Sequence, residues 1–224
     1  MLCQNVNRHL FALVLCCACL WTSHVAAETD NTTQNIAPCY ITTITHLPSL
    51  HPGSTLSYTA LSVIHPLRPP IKENYTVTID EIWRYGVRFA YNITQSVLGT
   101  ATGFQTLSSL DTCSKIDPWW EDNHSDFDDR CELWISRQNY FDLMTDKKTY
   151  IAVDTEVRKD SVVRLEFIDY VDFPCTVHNA FTLLPAFRVR SSRNDTFIIL
   201  DNPDNPLILS AESAYFSWHL DAIN

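Results

Sequence analysis

An unbroken alternation of side chains over residues 85–94 constrains the fold more than any other feature of this chain. One set is aromatic or branched and the other is small or polar: Tyr85, Val87, Phe89, Tyr91 and Ile93 against Gly86, Arg88, Ala90, Asn92 and Thr94. A period of two places the first set on one face of a β-strand. Asn92 also begins an Asn-Ile-Thr sequon, and a glycan attached there would require a solvent-exposed position. The pattern therefore predicts a sheet with one buried face and one wet face, which is typical of antiparallel sheets.

Strand-like runs continue along most of the chain. Thirteen segments are rich in Val, Ile, Thr, Tyr, Phe and Trp: residues 40–45, 55–64, 75–83, 85–94, 104–110, 132–136, 149–157, 162–170, 176–184, 186–190, 196–200, 207–210 and 214–220. Polar or proline-bearing breaks separate them, and only residues 134–144 suggest a short helix. Short strands at close spacing, without long helical windows, predict an all-β chain that folds as a single antiparallel β-sandwich.

The segment Asp169-x-Val171-x-Phe173-x-Cys175 resembles the Asp-x-Gly-x-Tyr-x-Cys pattern that precedes the second cysteine of immunoglobulin domains. The resemblance covers seven residues and implies that Cys113 is the upstream cysteine. Valine replaces the glycine, phenylalanine replaces the tyrosine whose hydroxyl defines the corner, and no tryptophan follows Cys113 at the expected spacing. A generic sandwich is therefore the prediction, and an immunoglobulin-like sandwich is its alternative.

The N-terminus has the three parts of a secretory signal peptide. Arg8 and His9 end a short basic region, and residues 10–21 form a 12-residue apolar run. Val25 and Ala27 supply the small residues of a cleavage site. We expect a signal peptide over residues 1–27, a flexible leader over residues 28–38 and a folded domain over residues 39–224. Because no later apolar run has the length of a membrane span, the sequence predicts secretion to the extracellular space.

The cysteines fall into two groups, one in the signal and one in the mature chain. Cys3, Cys16, Cys17 and Cys19 belong to the first group, and Cys39, Cys113, Cys131 and Cys175 belong to the second. Four cysteines in an oxidising compartment predict two disulfides, for which three connectivities exist. We favour Cys113–Cys131, which would close a 19-residue polar loop and stabilise the fold by roughly 3 kcal/mol, together with Cys39–Cys175. A zinc site is the weaker interpretation, because no Cys-x-x-Cys knuckle is present.

Five sequons in a chain with a signal peptide predict a glycoprotein. They begin at Asn31, Asn74, Asn92, Asn123 and Asn194. Residues 125–193 contain no sequon, and we call them the sequon-free span. Three strand-like segments inside it, residues 132–136, 149–157 and 162–170, are therefore the best candidates for a binding face without glycans.

The most distinctive segment is the acidic loop, residues 114–132, which contains seven carboxylates and two cations. Its tryptophans offer apolar anchors inside a negative field, which favours binding of a basic protein partner. The candidate ligand-binding residues are Trp119, Trp120, Asp126, Phe127, Asp128 and Asp129. Two other interpretations stay open. One is a calcium loop, although the EF-hand glycine is absent, and the other is a solvated acidic surface whose tryptophans fold onto the core.

Motifs that would indicate an enzyme, such as Gly-x-Ser-x-Gly, His-Glu-x-x-His and the phosphate-binding P-loop, are absent from the sequence. A net charge of −10 argues against nucleic acid and anionic membrane surfaces as partners. The sequence therefore predicts a secreted, non-enzymatic glycoprotein without cofactors that binds an extracellular host protein, either a cytokine or chemokine or a cell-surface receptor. An immune-modulating decoy of a virus or parasite fits this description. The alternatives are a soluble subunit of a viral envelope or cell-surface glycoprotein complex and, third, an extracellular hydrolase.

Overall fold

The computed structural model describes residues 50–63, 69–94, 100–116, 124–155, 158–214 and 216–224. These residues form twelve β-strands and two short α-helices, so the fold class is all-β, as predicted. The strands are β1 Thr55–Ser62, β2 Ile71–Trp83, β3 Gly86–Thr94, β4 Thr100–Thr106, β5 Lys115–Ile116, β6 His124–Phe127, β7 Lys148–Thr155, β8 Arg158–Val177, β9 Ala180–Ser191, β10 Thr196–Leu200, β11 Ile208–Glu212 and β12 Phe216–Ile223. The helices are α1 Leu107–Thr112 and α2 Arg137–Thr145. All of these elements belong to one unit, Pro38–Asn224.

The strands form one hydrogen-bonded sheet in the order β5-β7-β8-β9-β10-β11-β12-β1-β2-β3-β4-β6. Most neighbours are antiparallel, but β4–β6, β5–β7 and β8–β12 are parallel. The sheet is therefore mixed, and the prediction of a wholly antiparallel one is wrong at these pairs. Parallel neighbours need a crossover connection instead of a hairpin. Here α1 lies in the connection from β4 to β6, and α2 lies in the connection from β5 to β7.

A second pairing of β8 closes part of the sheet on itself. This strand is 20 residues long, and its end pairs with β9 on one side and with Ala222 and Ile223 of β12 on the other. Strands β8 to β12 thus form a closed circuit of neighbours. One hydrophobic core takes buried side chains from this circuit and from β1–β3, among them Phe187, Trp218 and Phe89. The burial of this apolar surface is the main favourable contribution to folding.

Strand β3 confirms the one-sided burial predicted from residues 85–94. The side chains alternate as expected, with Val87, Phe89 and Tyr91 buried and Arg88 and Asn92 exposed. Tyr85 departs from the pattern, because it lies in the turn between β2 and β3 and is 58% exposed. The strand begins one residue later, at Gly86. The side chain of Ile93 lies outside the described part of the chain.

Both helices begin where a hydroxyl side chain caps the first turn. Thr106 accepts a hydrogen bond from the backbone N–H of Ser109, and Ser136 accepts one from the backbone N–H of Asn139. The helix predicted over residues 134–144 therefore starts later, at Arg137. Three predicted strands differ as well. Residues 107–110 belong to α1, residues 132–136 form only an isolated bridge, and the strand predicted over residues 176–184 is interrupted by the turn at His178 and Asn179 that joins β8 to β9. Residues 40–45 lie outside the described residues, so a strand there stays a prediction.

The segment that resembles an immunoglobulin motif lies on β8, where Phe173 and Cys175 are buried. Its expected upstream partner, Cys113, lies at the C-terminal cap of α1 and not on a strand. The sulfur atom of Cys113 lies 3.3 Å from that of Cys131. Because an immunoglobulin cysteine pair joins two strands of facing sheets, Cys113 does not supply the upstream member of such a pair.

Candidate functional site

The structure describes part of the acidic loop. Outside the described residues lie Trp119, Trp120 and Asn123. Asp126 and Phe127 lie on the edge strand β6 beside β4, and their side chains are outside the described part as well. Asp128 and Asp129 are exposed. The guanidinium of Arg130 donates a hydrogen bond of 2.9 Å to Asp129 and thereby lowers the pKa of that carboxyl. The negative charge of the loop is thus partly offset at its C-terminal end.

A buried glutamine fastens the base of the acidic loop. The Oε1 atom of Gln105 accepts a hydrogen bond of 3.1 Å from the backbone N–H of Glu132. Its Nε2 atom donates to the backbone carbonyl of Arg130 and to the hydroxyl of Ser109. A buried amide that is bonded at both ends holds its neighbours in one arrangement. Gln105 therefore ties β4, α1 and the C-terminal end of the loop together.

Cys113 and Cys131 bring the two ends of the loop together. Their sulfur atoms are 3.3 Å apart and share a hydrogen bond. This bond and burial raise the pKa of Cys131 well above its usual value, whereas the same bond lowers the pKa of Cys113. Of the other predicted pair, Cys39 lies outside the described residues, and burial raises the pKa of Cys175 to about 11.

We expect a Cys113–Cys131 disulfide to stabilise the domain by roughly 3 kcal/mol, because the closed loop restricts the unfolded chain. Urea unfolding of the wild-type chain under oxidising conditions and of the double variant Cys113→Ser plus Cys131→Ser measures the difference. The same comparison under reducing conditions is the control, and there the difference should shrink to the small effect of two buried hydroxyls. Equal stability of the two proteins under oxidising conditions would contradict the expectation.

Strands β8 and β9 form a long hairpin. The half of the hairpin far from its turn buries one face, and the half near the turn buries the opposite face. Cross-strand partners share a face, which here holds the pairs Leu165–Ser191, Phe167–Val189, Tyr170–Phe187, Asp172–Pro185, Pro174–Leu183 and Thr176–Phe181. The face is buried at Leu165 and Ser191 but exposed at Pro174, Leu183 and Phe181. The opposite face has the reverse pattern of burial and exposure. Glu166 and Arg190 are exposed there, and the pair Phe173–Leu184 is buried.

Helix α2 covers the buried half of the face that holds Leu165 and Ser191. Tyr140 packs edge-on against Phe187, with 5.7 Å between the ring centroids. Tyr170 lies at the limit of this cover, where its hydroxyl contacts the sulfur of Met144 at 3.6 Å. Beyond Tyr170 the same face is open to solvent.

We call this open half the hairpin face, and it comprises Tyr170, Pro174, Phe181, Leu183 and Pro185. The exposed fraction is 61% for Tyr170, 75% for Phe181 and 53% for Leu183. Paired and diagonal neighbours on one face of a sheet lie about 4.5 to 8 Å apart, so these apolar side chains adjoin one another around Asp172, which is exposed on the same face opposite Pro185. Contiguous exposed apolar surface is typical of interaction sites.

Three of the five sequon asparagines lie in the described residues. Asn74 and Asn92 are exposed and are diagonal neighbours on the outer face of β2 and β3. Asn194 is exposed in the turn that follows the other end of β9, with a φ of 70°. Asn31 and Asn123 lie outside the described residues. None of the three described asparagines therefore lies among residues 170–185, which carry the hairpin face.

A hydroxyl, a carboxylate and an imidazole meet on β1 and β12. Thr59 Oγ1 donates to Asp221 Oδ2 at 2.8 Å, and His219 Nε2 lies 3.0 Å from Asp221 Oδ1. In a nucleophilic triad the imidazole contacts the hydroxyl and takes its proton. Here the carboxylate lies between the two groups, so His219 is not placed to activate Thr59.

A cavity of about 50 Å³ lies beside α1, where Trp83, Leu107 and Trp134 contribute to its lining. Pockets for drug-sized ligands measure about 300 to 1,000 Å³, so this cavity is too small for such a molecule. At its wall the indole N–H of Trp134 donates to Asn205 Oδ1 at 2.8 Å. Within the described ranges no group of three or more His, Cys, Asp or Glu side chains is placed to hold a metal ion.

Comparisons with known proteins identify no family for the chain. A scan against protein-family models, a search of curated proteins and a search of solved structures each found no match. In the part of the chain that the structure describes, no helix combines the length and the apolar composition needed to cross a bilayer. The candidate site therefore depends on the geometry of this chain alone.

None of the candidate ligand-binding residues of the acidic loop belongs to the hairpin face, and of the three candidate segments for a face without glycans only residues 162–170 contribute to it, through Tyr170. Its members lie in or next to predicted strands, but alternation there does not show which side is open, because Phe181 and Leu183 alternate with the equally strand-like Thr182 and Leu184. The sequence feature that could have indicated this face is the pair of prolines Pro174 and Pro185. Proline inside a strand marks a sheet edge, because it has no N–H for a ladder hydrogen bond.

Proposed function

We propose that the chain is a secreted, non-enzymatic glycoprotein that binds an extracellular protein through the hairpin face. A cytokine, a chemokine or a cell-surface receptor is the kind of partner that we infer. An immune-modulating decoy of a virus or parasite is the role that fits best. The signal sequence over residues 1–27 and the five sequons support secretion and glycosylation.

The observation that carries this proposal is the concentration of exposed apolar side chains in the sequon-free span. Nine large hydrophobic side chains are exposed in the described residues, and seven of them lie in this span. The seven are Phe141, Tyr150, Val162, Ile168, Tyr170, Phe181 and Leu183. Scattered exposed hydrophobics are normal in soluble proteins, whereas a contiguous patch is typical of a protein contact. The hairpin face is such a patch, and it is the part of the span that we assign to the partner.

The acidic loop supports a second contact with the same partner. Trp119, Trp120 and Phe127 are the proposed apolar anchors, and Asp128 and Asp126 supply negative charge. Such a field speeds encounter with a basic protein, and aromatic anchors supply most of the binding free energy in many interfaces. We therefore infer a partner with a basic surface beside an apolar one.

Capture of partners from extracellular proteins by the purified mature glycoprotein tests the proposal. We expect one specific partner, retained in proportion to the immobilised protein. The double variant Trp119→Ala plus Trp120→Ala should weaken its retention, and retention that is unchanged would remove the acidic loop from the proposal. Capture of no specific partner would contradict the proposed function as a whole.

We expect Asn74, Asn92 and Asn194 each to carry a glycan, because all three side chains are exposed. Each Asn→Gln variant, expressed in a eukaryotic secretory host, should lose the mass of one glycan on an electrophoretic gel. Asn179→Gln is the matched control, because Asn179 is exposed but begins no sequon. An unchanged mass for any of the three variants would show that its site is unoccupied.

For the architecture we infer a β-sandwich in which two parts of the sheet face each other. The single hydrophobic core that both parts share supports this inference, because two sheet layers packed face to face produce such a core. Aromatic contacts join distant segments across this core, for example Phe89 and Trp134, whose ring centroids are 6.1 Å apart. We infer the disulfides Cys113–Cys131 and Cys39–Cys175 as its covalent supports.

A soluble subunit of an envelope or cell-surface complex is the second candidate. The observation in its favour is the 75% exposure of Phe181, because a surface of this kind invites aggregation unless another chain covers it. Expression of the chain alone distinguishes the two candidates. A free decoy is secreted as a soluble protein, whereas an obligate subunit is retained or aggregates until its partner is co-expressed.

A further inference from the structure

Half of β9 has a hydrogen-bonded neighbour on one side only. Residues 180–185 of this strand pair with β8, and its pairing with β10 begins at Ala186. Across the described ranges no strand pairs with the other side of Phe181 to Leu184. An open edge presents unpaired backbone donors and acceptors to solvent.

The direction of these backbone groups follows from one hydrogen bond. The carbonyl of Pro185 accepts the N–H of Asp201 at 2.9 Å, and this bond lies on the side of β9 away from β8. Backbone groups in a strand alternate in direction, so those of Leu183 and Phe181 point the same way. Pro174 stands opposite Leu183 and has no N–H, which agrees with a pair that exchanges no hydrogen bonds. Phe181 and Leu183 thus offer two N–H and two C=O groups at the edge.

Charge and apolar surface lie beside this edge. The side chains of Phe181 and Leu183 lie on the hairpin face, so a strand added there would place alternate side chains against them. Asp172 is exposed beside Pro185 and makes no ion pair within the described part. Asp204 is also exposed, in the loop whose Asp201 bonds the end of the edge. The ligand that complements the edge therefore carries apolar and basic side chains.

We propose that the partner adds an extended strand to the β9 edge, with apolar side chains over Phe181 and Leu183 and a basic side chain near Asp172. This inference deepens the proposed function and rests on it. Backbone hydrogen bonds give such strand addition its affinity, and alternate side chains give it specificity. A second copy of this chain is a poorer fit, because the net charge of −10 brings repulsion and residues 180–185 carry no basic side chain to complement Asp172.

Amide hydrogen exchange of the free mature chain tests the open edge first. We expect fast exchange at Phe181 and Leu183 and slow exchange at Thr182 and Leu184, whose N–H groups face β8. Slow exchange at all four amides would overturn the proposal, because it would mean that the edge is already covered. Sedimentation at increasing protein concentration would then distinguish an edge covered by a second copy of the chain from an edge covered by another segment of the same chain.

A seven-residue peptide of alternating valine and lysine is the probe for strand addition. At about 1 mM peptide we expect at least about tenfold slower exchange at Phe181 and Leu183. The same peptide with N-methyl groups at alternate residues should give no protection. An absence of protection by the unmodified peptide would overturn the inference.

Two variants separate the backbone from the side chain. Leu183→Pro removes the outward N–H, and Leu183→Ala keeps it while shortening the side chain. We expect the proline variant to bind the peptide at least about tenfold more weakly than the alanine variant, since proline is tolerated at sheet edges. Equal binding would overturn strand addition. Normal capture of a partner by the proline variant would support the proposed function and contradict strand addition by that partner. Binding of the peptide without capture of any partner would support strand addition at this edge and contradict the proposed function.

Discussion

Binding to the proposed extracellular partner should fall at least about a hundredfold when Phe181 and Leu183 are both replaced by serine. The reason is their exposure of 75% and 53% on the hairpin face, because large apolar anchors contribute most of the binding free energy in many interfaces. Surface plasmon resonance with the captured partner measures the change. Because neither side chain is buried, the free energy of unfolding should stay within about 0.5 kcal/mol of the wild-type value.

The matched control is the double variant Ile71→Ser plus Tyr85→Ser. These side chains are 46% and 58% exposed, but they lie outside the sequon-free span. We expect binding of the control to remain within about threefold of wild type. Equal losses for the two double variants would mean that the hairpin face is not the binding surface.

The largest expected loss of stability comes from Gly86→Ala, at about 3 kcal/mol or more. A Cβ atom at position 86 would lie 2.1 Å from the carbonyl oxygen of Gln105, which belongs to the backbone of the adjacent strand β4. The φ of 153° adds strain for any side chain at this position. The two strands cannot separate to relieve the contact without breaking the β3–β4 ladder. Denaturant unfolding monitored by circular dichroism measures the loss.

Gly53→Ala is the control that separates backbone strain from the steric contact. Gly53 also has a positive φ, 91°, but an added Cβ would meet no atom within 4 Å. We expect this variant to lose about 1 kcal/mol, which is the cost of the unfavourable backbone alone. Similar losses for both variants would exclude the contact with Gln105 as the cause.

Local alternation was sufficient to predict most of the strands and the exposed position of Asn92. A side chain on a one-sided strand follows its period of two, and β3 shows this from Val87 to Asn92. The parallel pairs were not predictable in the same way. Whether β4 pairs with β6 depends on contacts far apart in the chain and on the short helix α1, whose Leu-Ser-Ser-Leu-Asp-Thr sequence has no strong helical pattern.

The sequence does not predict the hairpin face, because the face that is buried changes within one strand. At Val189 and Phe187 one face of β9 meets the core and α2, but at Leu183 and Phe181 the same face is open. On β9 the residues of this face are apolar from Phe181 to Val189. Only the position of α2, which ends its cover near Tyr170, decides which of them are exposed.

Hydrogen exchange of the complex with the captured partner tests the central claim most directly, because it locates the bound surface without any substitution. We expect new protection over residues 170–185, with little change on β2 and β3 around Asn74 and Asn92. Protection on β2 and β3, or none over residues 170–185, would contradict a binding function for the hairpin face.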